Sequence, residues 1–537
     1  MADLDLMLLR RRADNLISAA GGPGGPGMTL GLVRDGELVL HRQAGLASLE
    51  LGVPIGPDTT FRIASVSKQF TCAAVLLLAA EGTLELQDEA RTHLPELPDF
   101  GPKLTIAHLM HNTSGIRDML EIMRLGGVDL SMPVTRDNLL TGITRQRTLN
   151  FAPGTRYLYS NSNFLLLGLI VERVSGMSLS DFLAERIFTP LGMDRTRMVE
   201  STIEVVPGLA AGYLPKDGGW MRAAHGFPLG GEGGLVSSVE DLALWARNFE
   251  TGRVGGEGLI EALERQTPFA NGRTANYARG LSVRHYRGIR AVDHGGLWPG
   301  YKTEFLRAPE LRLAVICITN NGGADPYHTA HDLLDAAIEG RPGVHAVPKL
   351  PPIATLQSIA GRYLDRERGV TLDFSVNPDG LLIGNANGVP FRLKQGDDGR
   401  LVASRSAGDF AMTAEGDELA VELDAGFAAR YRRVTGPASL PNDLGGSYRN
   451  EEIGATWTIR RVADGTLALD VTGPIIRDRA WEIEPIEGDV VRFYPPSTLF
   501  RSWVDAQVLR EAGAITGLQV NGGRAKGLVF ARQGVGK

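Results

Sequence analysis

The chain has 537 residues, of which 43% are hydrophobic and 22% charged, and its formal net charge is −6. This length predicts two or three domains rather than a single core. The balanced charge is unlike that of nucleic-acid-binding or polybasic membrane-surface proteins, so we expect neither nucleic acid nor a membrane as a partner. The start, MADLDLMLLRRRADN, has no apolar core before a small-residue cleavage site, which predicts a cytoplasmic protein.

The first 340 residues mix strand and helix patterns. A hairpin is predicted over residues 28–48, where two β-rich runs flank Asp35-Gly36. Strands at GIRAVDHGG and in EFLRAPELRLAVICITN, followed by the helix PYHTAHDLLDAAIEG, close this region. Strands at both ends predict an α+β domain, an antiparallel sheet whose first and last strands meet, with helices on both faces and a helical insertion. The helices predicted between the strands cover residues 66–81, 104–110, 162–175 and 178–187.

A Pro- and Gly-rich stretch, EGRPGVHAVPKLPP, separates this domain, residues 1–340, from a region of short alternating strands. We place the linker at residues 341–352 and expect two small antiparallel β-barrel domains after it, at 353–436 and 437–537.

The two barrels are predicted to be copies of one unit. GRY at 361–363 matches GSY at 446–448, and Asp379-Gly380 matches Asp464-Gly465 at the same offset of 85 residues. The second copy is longer by about a dozen residues, part of which falls in TGPIIRDRAWEI, so a longer loop is predicted there.

The stretch RIASVSKQF contains a Ser-x-x-Lys pair, Ser65 and Lys68. The plain interpretation is a serine that caps the helix 66–81. The alternative is a nucleophile with Lys68 as its base, because both lie on one helix face and a lysine in a dry site loses its proton readily. The motif is weak alone, but only eight lysines occur, and only Lys68 has a serine three residues before it.

A lysine base needs a group that passes protons to the leaving group, and Tyr-x-Asn does this in one known serine-hydrolase design. One copy, with Tyr159 and Asn161, follows a Pro-Gly turn in the same domain as Ser65. The competing interpretation is that Asn161 caps the helix that follows. A second copy at 448–450 lies in the barrel repeat, where Tyr363 is its counterpart, and is interpreted as structural.

The third candidate is His294-Gly295-Gly296 in AVDHGGLWPGY, a strand followed by a histidine and two glycines that let a substrate approach the backbone. His225 in AAHGFPLGGEGG is a rival, but no clear strand precedes it, so we place it on a loop near the mouth of the site.

In this order the three motifs make the chain resemble the penicillin-recognising serine hydrolases: class C β-lactamases, D,D-carboxypeptidases and esterases of that fold. LMHNTSGIRD at 109–118 and GGLVSSVEDLALW at 233–245 are similar to that family too, and the match covers residues 25–340. The resemblance implies a β-lactamase-like fold for the first domain and a catalytic set of Ser65, Lys68, Tyr159 and His294.

A closer resemblance links SVSKQFTCA, the HGG motif and the two barrels to the D-stereospecific aminopeptidases of this family. In those enzymes a loop of the last barrel enters the active site and carries an aspartate for the substrate's amino group. TGPIIRDRAW is the matching stretch, so the resemblance implies that role for Asp478. It also implies a homodimer.

The resulting hypothesis is a serine hydrolase that releases small N-terminal D-amino acids, such as D-Ala, from peptides, amides and esters through an acyl-enzyme. Ser65 attacks the carbonyl, Lys68 takes its proton and Tyr159 protonates the leaving amine. The backbone N–H groups of Ser65 and Leu297 form the oxyanion hole, and Asn161 orients the acyl part.

The histidine separates this hypothesis from its rivals. β-Lactamases and D,D-carboxypeptidases usually have a lysine at the His294 position, where it holds a substrate carboxylate, and a neutral imidazole weakens that pull. This favours a substrate with an ammonium group and no nearby carboxylate. The alternatives are a carboxylesterase, a D,D-peptidase or β-lactamase-like amidase on the same fold and, more remotely, a non-catalytic penicillin-binding-like sensor.

No metal-ligand spacing occurs among the ten histidines, and His328 and His331 in HTAHD are interpreted as surface helix residues rather than a zinc pair. We therefore expect no metal and no cofactor, and a small peptide or an amino-acid amide or ester as the substrate.

Overall fold

The computed structural model of the chain describes residues 4–21, 24–269, 271–347, 350–396, 398–405, 408–423, 427–497 and 502–534. Up to residue 340 they form an α+β unit around a six-stranded antiparallel sheet. Its strands are β1 (Met28–Arg34), β2 (Glu37–Ala44), β3 (Leu46–Ser48), β4 (Val53–Pro54), β5 (Phe61–Arg62), β6 (Arg197–Met198), β7 (Tyr213–Lys216), β8 (Gly219–Arg222), β9 (Leu235–Ser237), β10 (Ser282–Tyr286), β11 (Ile289–Trp298), β12 (Tyr301–Ala308) and β13 (Leu313–Thr319).

The helices of this unit pack on both faces of the sheet and in an insertion between β5 and β9. They are α1 (Leu6–Gly21), α2 (Ser67–Ala80), α3 (Ala90–His93), α4 (Ile106–Met110), α5 (Met119–Leu125), α6 (Arg136–Thr144), α7 (Asn161–Ser175), α8 (Leu179–Leu183), α9 (Thr189–Leu191), α10 (Val239–Thr251), α11 (Gly256–Glu264) and α12 (Pro326–Ile338). Short 3-10 turns cover Ala64–Val66 and Pro309–Leu311, and a π-helical segment, Ala184–Phe188, joins α8 to α9.

The large sheet has the strand order β10-β11-β12-β13-β1-β2. Met28 at the start of β1 pairs with Thr319 at the end of β13, so the predicted meeting of the first and last strands is confirmed. Side chains of β1 alternate between two covered faces. Leu30 belongs to the cluster under α1 and α12, whereas a Cβ added to Gly31 would lie 2.5 Å from Val239 Cγ1 of α10.

Helix α1 was not among the predicted elements. Its buried residues Leu9, Ala13 and Ile17 recur every four positions and pack against β1 and α12. One further expectation for this unit is wrong: His331, predicted on the surface of the last helix, is buried and its Nδ1 lies 2.9 Å from the backbone oxygen of Tyr327.

The first barrel follows a short helix, α13 (Ile353–Ile359). Its strands form a nine-stranded antiparallel sheet in which β17 and β18, at opposite ends of the strand order, are separated in the chain by Leu393 alone, so the sheet nearly closes. The strands are β14 (Gly361–Asp365), β15 (Val370–Val376), β16 (Leu382–Ala386), β17 (Val389–Arg392), β18 (Lys394–Gln395), β19 (Leu401–Arg405), β20 (Gly408–Glu415), β21 (Glu418–Leu423) and β22 (Phe427–Arg433).

The second barrel is a closed sheet of eight strands. The predicted tyrosine equivalence is confirmed, because the hydroxyls of Tyr363 and Tyr448 each donate to the backbone oxygen four residues earlier, at 2.9 and 2.7 Å. The strands are β23 (Gly446–Asn450), β24 (Ala455–Arg461), β25 (Leu467–Thr472), β26 (Arg477–Glu487), β27 (Val490–Tyr494), β28 (Val504–Glu511), β29 (Ala514–Asn521) and β30 (Leu528–Arg532).

The stretch TGPIIRDRAWEI, predicted as a longer loop, is mostly strand. Only residues 473–476 form a turn, and β26 then continues for 11 residues. Asp478 therefore lies on a strand and pairs with Val471 of β25. The prediction is wrong because the Gly-Pro signal marks only a short turn, after which β26 pairs with β25 again from Arg477 onward.

Helix α5 joins the α+β unit to the second barrel. Ile122 and Leu125 are buried in the apolar core of the barrel, beside Trp457. The Trp457 indole N–H donates to the backbone oxygen of Leu125 at 2.9 Å. One helix of the first domain therefore fills an end of the second barrel.

The domain boundaries at 340, 352 and 436 stay predictions. Residues 341–347 and 350–352 contain no helix or strand, while Pro348 and Lys349 of the predicted linker lie outside the described residues. Across the described ranges, no single helix is both long and apolar enough to cross a membrane; Asn161–Ser175 and Leu179–Leu191, bent by 81°, meet the length and composition test only as a pair.

Candidate active site

Ser65 lies in the tight turn that leads into α2. Ala64 before it has a φ of +49°, a left-handed conformation that is unusual for a residue with a side chain. Ser65 is half-buried, whereas Ser67 is fully buried and its Oγ accepts a hydrogen bond from the Leu235 N–H at 3.1 Å. Of the two serines, Ser65 is thus the one that an incoming molecule can reach.

Lys68 is the centre of the polar network. Its Nζ lies 3.0 Å from Ser65 Oγ and 2.9 Å from Asn161 Oδ1, and it also donates to the backbone oxygen of Glu232. The last two partners are carbonyl oxygens, which can only accept. A neutral Lys68 therefore uses both of its N–H groups on Asn161 and Glu232, and its lone pair faces the Ser65 hydroxyl.

The surroundings of Lys68 favour the neutral amine. Burial is the largest cause and lowers the pKa of Lys68 to about 7, against the opposing charge of Glu232. The positive charge of Arg524 lowers this pKa as well, while Asp118 raises it. A substantial fraction of neutral lysine is thus present near neutral pH.

Asn161 is the first residue of α7, and Asp118 fixes its orientation. Asp118 Oδ2 accepts hydrogen bonds from the Asn161 backbone N–H at 2.6 Å and from Asn161 Nδ2 at 2.8 Å. A carboxylate can accept from the amide nitrogen but not from its oxygen, so Oδ1 must face Lys68. Asn161 does not cap its helix: Ser160 occupies the cap position, without a side-chain cap bond.

Tyr159 packs against Ser65 and Lys68. Lys68 Nζ lies 4.9 Å from the centre of the Tyr159 ring. Burial raises the pKa of Tyr159 above its usual range, and the Ser65 hydroxyl and the charge of Arg524 act against that rise. Tyr159 therefore stays protonated and can donate its proton.

His294 lies inside β11 and is buried. Its Nε2 is 3.1 Å from the Tyr277 hydroxyl, and its Nδ1 is 2.7 Å from the backbone oxygen of Gly295. Burial lowers the pKa of His294 to about 3, with the charge of Lys68 adding to the effect. The imidazole is neutral, and its ring centre lies 6.1 Å from that of Tyr159.

The edge of β11 faces the Ser65 turn. β10 pairs with β11 only as far as Asp293, which leaves the following residues of β11 without a β10 partner. A Cβ added to Gly296 would lie 2.1 Å from the backbone oxygen of Ile63, so only glycine permits this approach. Leu297, the next residue, is mostly exposed and pairs with Lys302 of β12.

Asp478 and His225 lie at the edges of the region. Asp478 Oδ2 accepts the Trp481 indole N–H at 2.8 Å, and a Cβ added to Gly127, just after α5, would lie 3.1 Å from Asp478 Cβ. The half-buried His225 lies beside Trp298 at the end of β11, with ring centres 5.7 Å apart and ring planes tilted by 58°.

Four residues of this region were missed by the sequence analysis: Asp118, Glu232, Tyr277 and Arg524. Arg524 lies on the turn between β29 and β30 of the second barrel, with its Cζ 4.9 Å from the centre of the Tyr159 ring. Asp118 stands at the end of the quoted LMHNTSGIRD, so a local signal existed only for Asp118, whereas Glu232 takes part through its backbone oxygen. Within the described ranges, no group of three or more His, Cys, Asp or Glu residues could hold a metal ion.

Known proteins are similar to this chain in sequence over most of its length. Residues 13–339 match the model of the family described as Beta-lactamase. The D-aminopeptidase of Cereibacter sphaeroides is 31% identical over 552 aligned positions, which cover 98% of this chain and 99% of that protein.

Two solved structures share the fold. The octameric penicillin-binding protein homologue from Pyrococcus abyssi has a TM-score of 0.56 at 22% identity, over 80% of this chain and 100% of that one. The D-amino acid amidase from Ochrobactrum anthropi SV3 has a TM-score of 0.53 at 24% identity, over 62% and 99%. The chain belongs to the beta-lactamase family, in the part of it that includes the full-length bacterial D-aminopeptidases.

Proposed function

We propose that the chain is a serine aminopeptidase that releases N-terminal D-amino acids from short peptides, amides and esters through an acyl-enzyme. The observation that carries the proposal is the Lys68 Nζ to Ser65 Oγ distance of 3.0 Å, in a buried site where the other two partners of Lys68 are carbonyl oxygens. The substrate class comes from the full-length D-aminopeptidase relatives.

The proposed reaction begins with Ser65 attacking the carbonyl carbon while its proton passes to neutral Lys68. Tyr159 gives a proton to the leaving nitrogen as the C–N bond breaks, and recovers one from Lys68 or from the deacylating water. The backbone N–H groups of Ser65 and Leu297 stabilise the oxyanion, where preorganised donors contribute about 3–4 kcal/mol to the barrier. Gly295 and Gly296 allow the substrate backbone to lie along the β11 edge.

In this scheme Asn161 positions Lys68 as well as the acyl part of the substrate. His294 holds Tyr277 beside the Tyr159 ring, since the Tyr277 and Tyr159 ring centres are 5.9 Å apart. A neutral His294 carries no charge to attract a carboxylate, in keeping with a substrate whose reacting residue has an amino group and no acid group.

The proposed receptor for that amino group is Asp478. The support is its position on the β25–β26 hairpin, next to Gly127 of the first domain, with Ile476 of the same hairpin packed against that domain's core. Asp478→Asn should raise KM for D-alaninamide about tenfold, as expected for losing one charge-assisted bond, and leave an acyl ester without an amino group unchanged. Equal effects on the two compounds would remove Asp478 from the proposal.

The test of the function is a substrate panel of D- and L-aminoacyl amides, with a β-lactam and a short acyl ester as controls. D-Alaninamide should be hydrolysed much faster than L-alaninamide. Ser65→Ala should abolish turnover, while its circular dichroism spectrum should stay that of the native protein. Ser67→Ala is the matched control, because Ser67 only accepts a backbone hydrogen bond. Turnover by the folded Ser65→Ala variant, or faster hydrolysis of the ester or β-lactam than of any D-aminoacyl amide, would refute the proposal.

The cytoplasmic location and the homodimer expected from the sequence stay predictions. Light scattering on the purified protein measures the second of these directly.

A further inference from the structure

Arg524 reaches the active site from the second barrel, and its backbone is held on both sides. The N–H of Gly523 donates to Glu121 Oε2 at 2.9 Å, and the oxygen of Arg524 accepts the Asp118 N–H at 3.3 Å and Asn150 Nδ2 at 3.1 Å. The Lys526 N–H donates to Asn150 Oδ1 at 2.8 Å. The turn is therefore fixed to the first domain rather than lying free on its surface.

The guanidinium group of Arg524 is only weakly engaged. Its Nη1 lies 3.6 Å from Asp118 Oδ2, beyond hydrogen-bonding distance, and that oxygen already accepts two hydrogen bonds from Asn161. Among the described residues, no N–H of this guanidinium donates a hydrogen bond. The side chain as a whole is 36% exposed, so it lies at the edge of the site rather than sealed inside the protein.

The position of the Arg524 guanidinium group indicates that it faces the leaving group of the substrate. Its Cζ is 4.9 Å from the Tyr159 ring centre, and Tyr159 is the proposed donor to the leaving nitrogen. When the leaving group is an amino acid, its carboxylate is one carbon away from that nitrogen. A guanidinium group matches a carboxylate with two parallel hydrogen bonds.

We propose that Arg524 binds the free carboxylate of the leaving amino acid, so that the preferred substrates are dipeptides with an N-terminal D-residue. This rests on the proposed function and changes the expectation drawn from His294. The strand position that usually carries a cation has a neutral imidazole here, and the second barrel supplies a cation on the leaving-group side instead.

The first test uses the unmodified enzyme and two compounds, D-alanyl-D-alanine and its C-terminal amide, which differ only in the carboxylate. The free acid should have a kcat/KM about 10- to 100-fold higher, the range expected for a charge-assisted pair. Equal values for the two compounds would overturn the proposal.

The second test changes the arginine. Arg524→Gln should bring the ratio of the two kcat/KM values close to one, and Arg524→Lys should keep part of it. The ratio separates carboxylate binding from any effect of Arg524 on Lys68 or Tyr159, because such an effect acts on both compounds alike. An unchanged ratio in a folded Arg524→Gln variant would overturn the proposal.

Binding to the Ser65→Ala variant measures the same preference for the free acid over the amide, as a ratio of dissociation constants and without turnover. Isothermal titration calorimetry should show that this variant binds the free acid more tightly than the amide, and that adding Arg524→Gln removes the difference. If the wild type hydrolyses no D-aminoacyl compound, the proposed function fails. If it hydrolyses D-alaninamide but does not discriminate between the two dipeptides, only the role of Arg524 fails.

Discussion

Two acceptors and one hydroxyl donor around the Lys68 amine define the chemistry at the residue scale. Asp118 orients Asn161. The Asn161 side-chain oxygen and the Glu232 backbone oxygen then accept the two N–H groups of neutral Lys68, and the lone pair of Lys68 points to the Ser65 hydroxyl. The spacing of the serine and the lysine predicts that Ser65 and Lys68 act together, but it does not predict the two acceptors that orient the lone pair of Lys68. Glu232 acts through a backbone oxygen, which any residue provides, so no side-chain pattern could indicate it.

The protonation of Lys68 should control the pH dependence of the reaction. Because burial lowers its pKa to about 7, Lys68 is protonated and unable to accept a proton at lower pH, and neutral above that value. The kcat/KM for D-alanine p-nitroanilide should therefore rise with pH through an apparent pKa near 7. Lys68→Arg keeps the charge at every pH and should lower kcat about 10²- to 10⁴-fold.

The surface residue Lys103 provides the control, since Lys103→Arg should leave the profile unchanged. A flat profile from about pH 5 to about pH 9, across the range where a lysine of lowered pKa titrates, would contradict this role for Lys68.

At the scale of elements, the site depends on how closely β11 approaches the turn before α2. Several elements were predictable because their signals are local: the Asp35-Gly36 hairpin, the apolar α2 and the strands around His294. Helix α1 carries the spacing Leu9, Ala13, Ile17, but charged residues interrupt it, so its apolar face becomes apparent only when it lies on the sheet. The approach of β11 to Ser65 is a tertiary contact that no local pattern encodes.

Gly296→Ala tests that approach. The added Cβ would lie 2.1 Å from the Ile63 backbone oxygen, so β11 must move away from the Ser65 turn. Displacing one donor of the proposed oxyanion hole should lower kcat about 10²- to 10³-fold. Stopped-flow or steady-state rates on D-alaninamide measure the loss.

Gly258→Ala in α11 is the matched control, because its Cβ would meet no atom within 4 Å and alanine favours a helix. Wild-type kcat in a folded Gly296→Ala enzyme would show that β11 does not line the reaction centre.

At the scale of the whole molecule, the barrels are joined to each other and to the active site. Buried Arg492 of the second barrel donates from Nε to Asp505 at 3.0 Å and from Nη1 to Asp373 of the first barrel at 2.9 Å. The second barrel encloses the C-terminal part of α5, and Asp118 caps the N-terminus of the same helix. The family resemblance of the sequence predicts a contribution of the barrel only at Asp478. Arg524 and α5 reach the site through packing between segments that lie about four hundred residues apart in the chain, which no local sequence pattern predicts.

Leu125→Ala should show whether the barrel supports catalysis through α5. Leu125 is fully buried in the barrel core, so its loss should lower the free energy of unfolding by about 2–5 kcal/mol. The cavity should also loosen α5 and its cap Asp118, and lower kcat/KM about 10- to 100-fold at a temperature where the protein is folded.

The matched change is Leu356→Ala in the core of the first barrel, which should destabilise the protein by a similar amount, since Leu356 is equally a buried leucine. Because Leu356 belongs to a different apolar cluster from the one that contains the end of α5, kcat/KM should then stay within about twofold of wild type. Urea unfolding and initial rates on D-alaninamide, measured on the same preparations, separate stability from activity. If both variants retain wild-type activity, the barrel does not act through α5, and its contribution to the site comes only from the turn that carries Arg524 and the hairpin that carries Asp478.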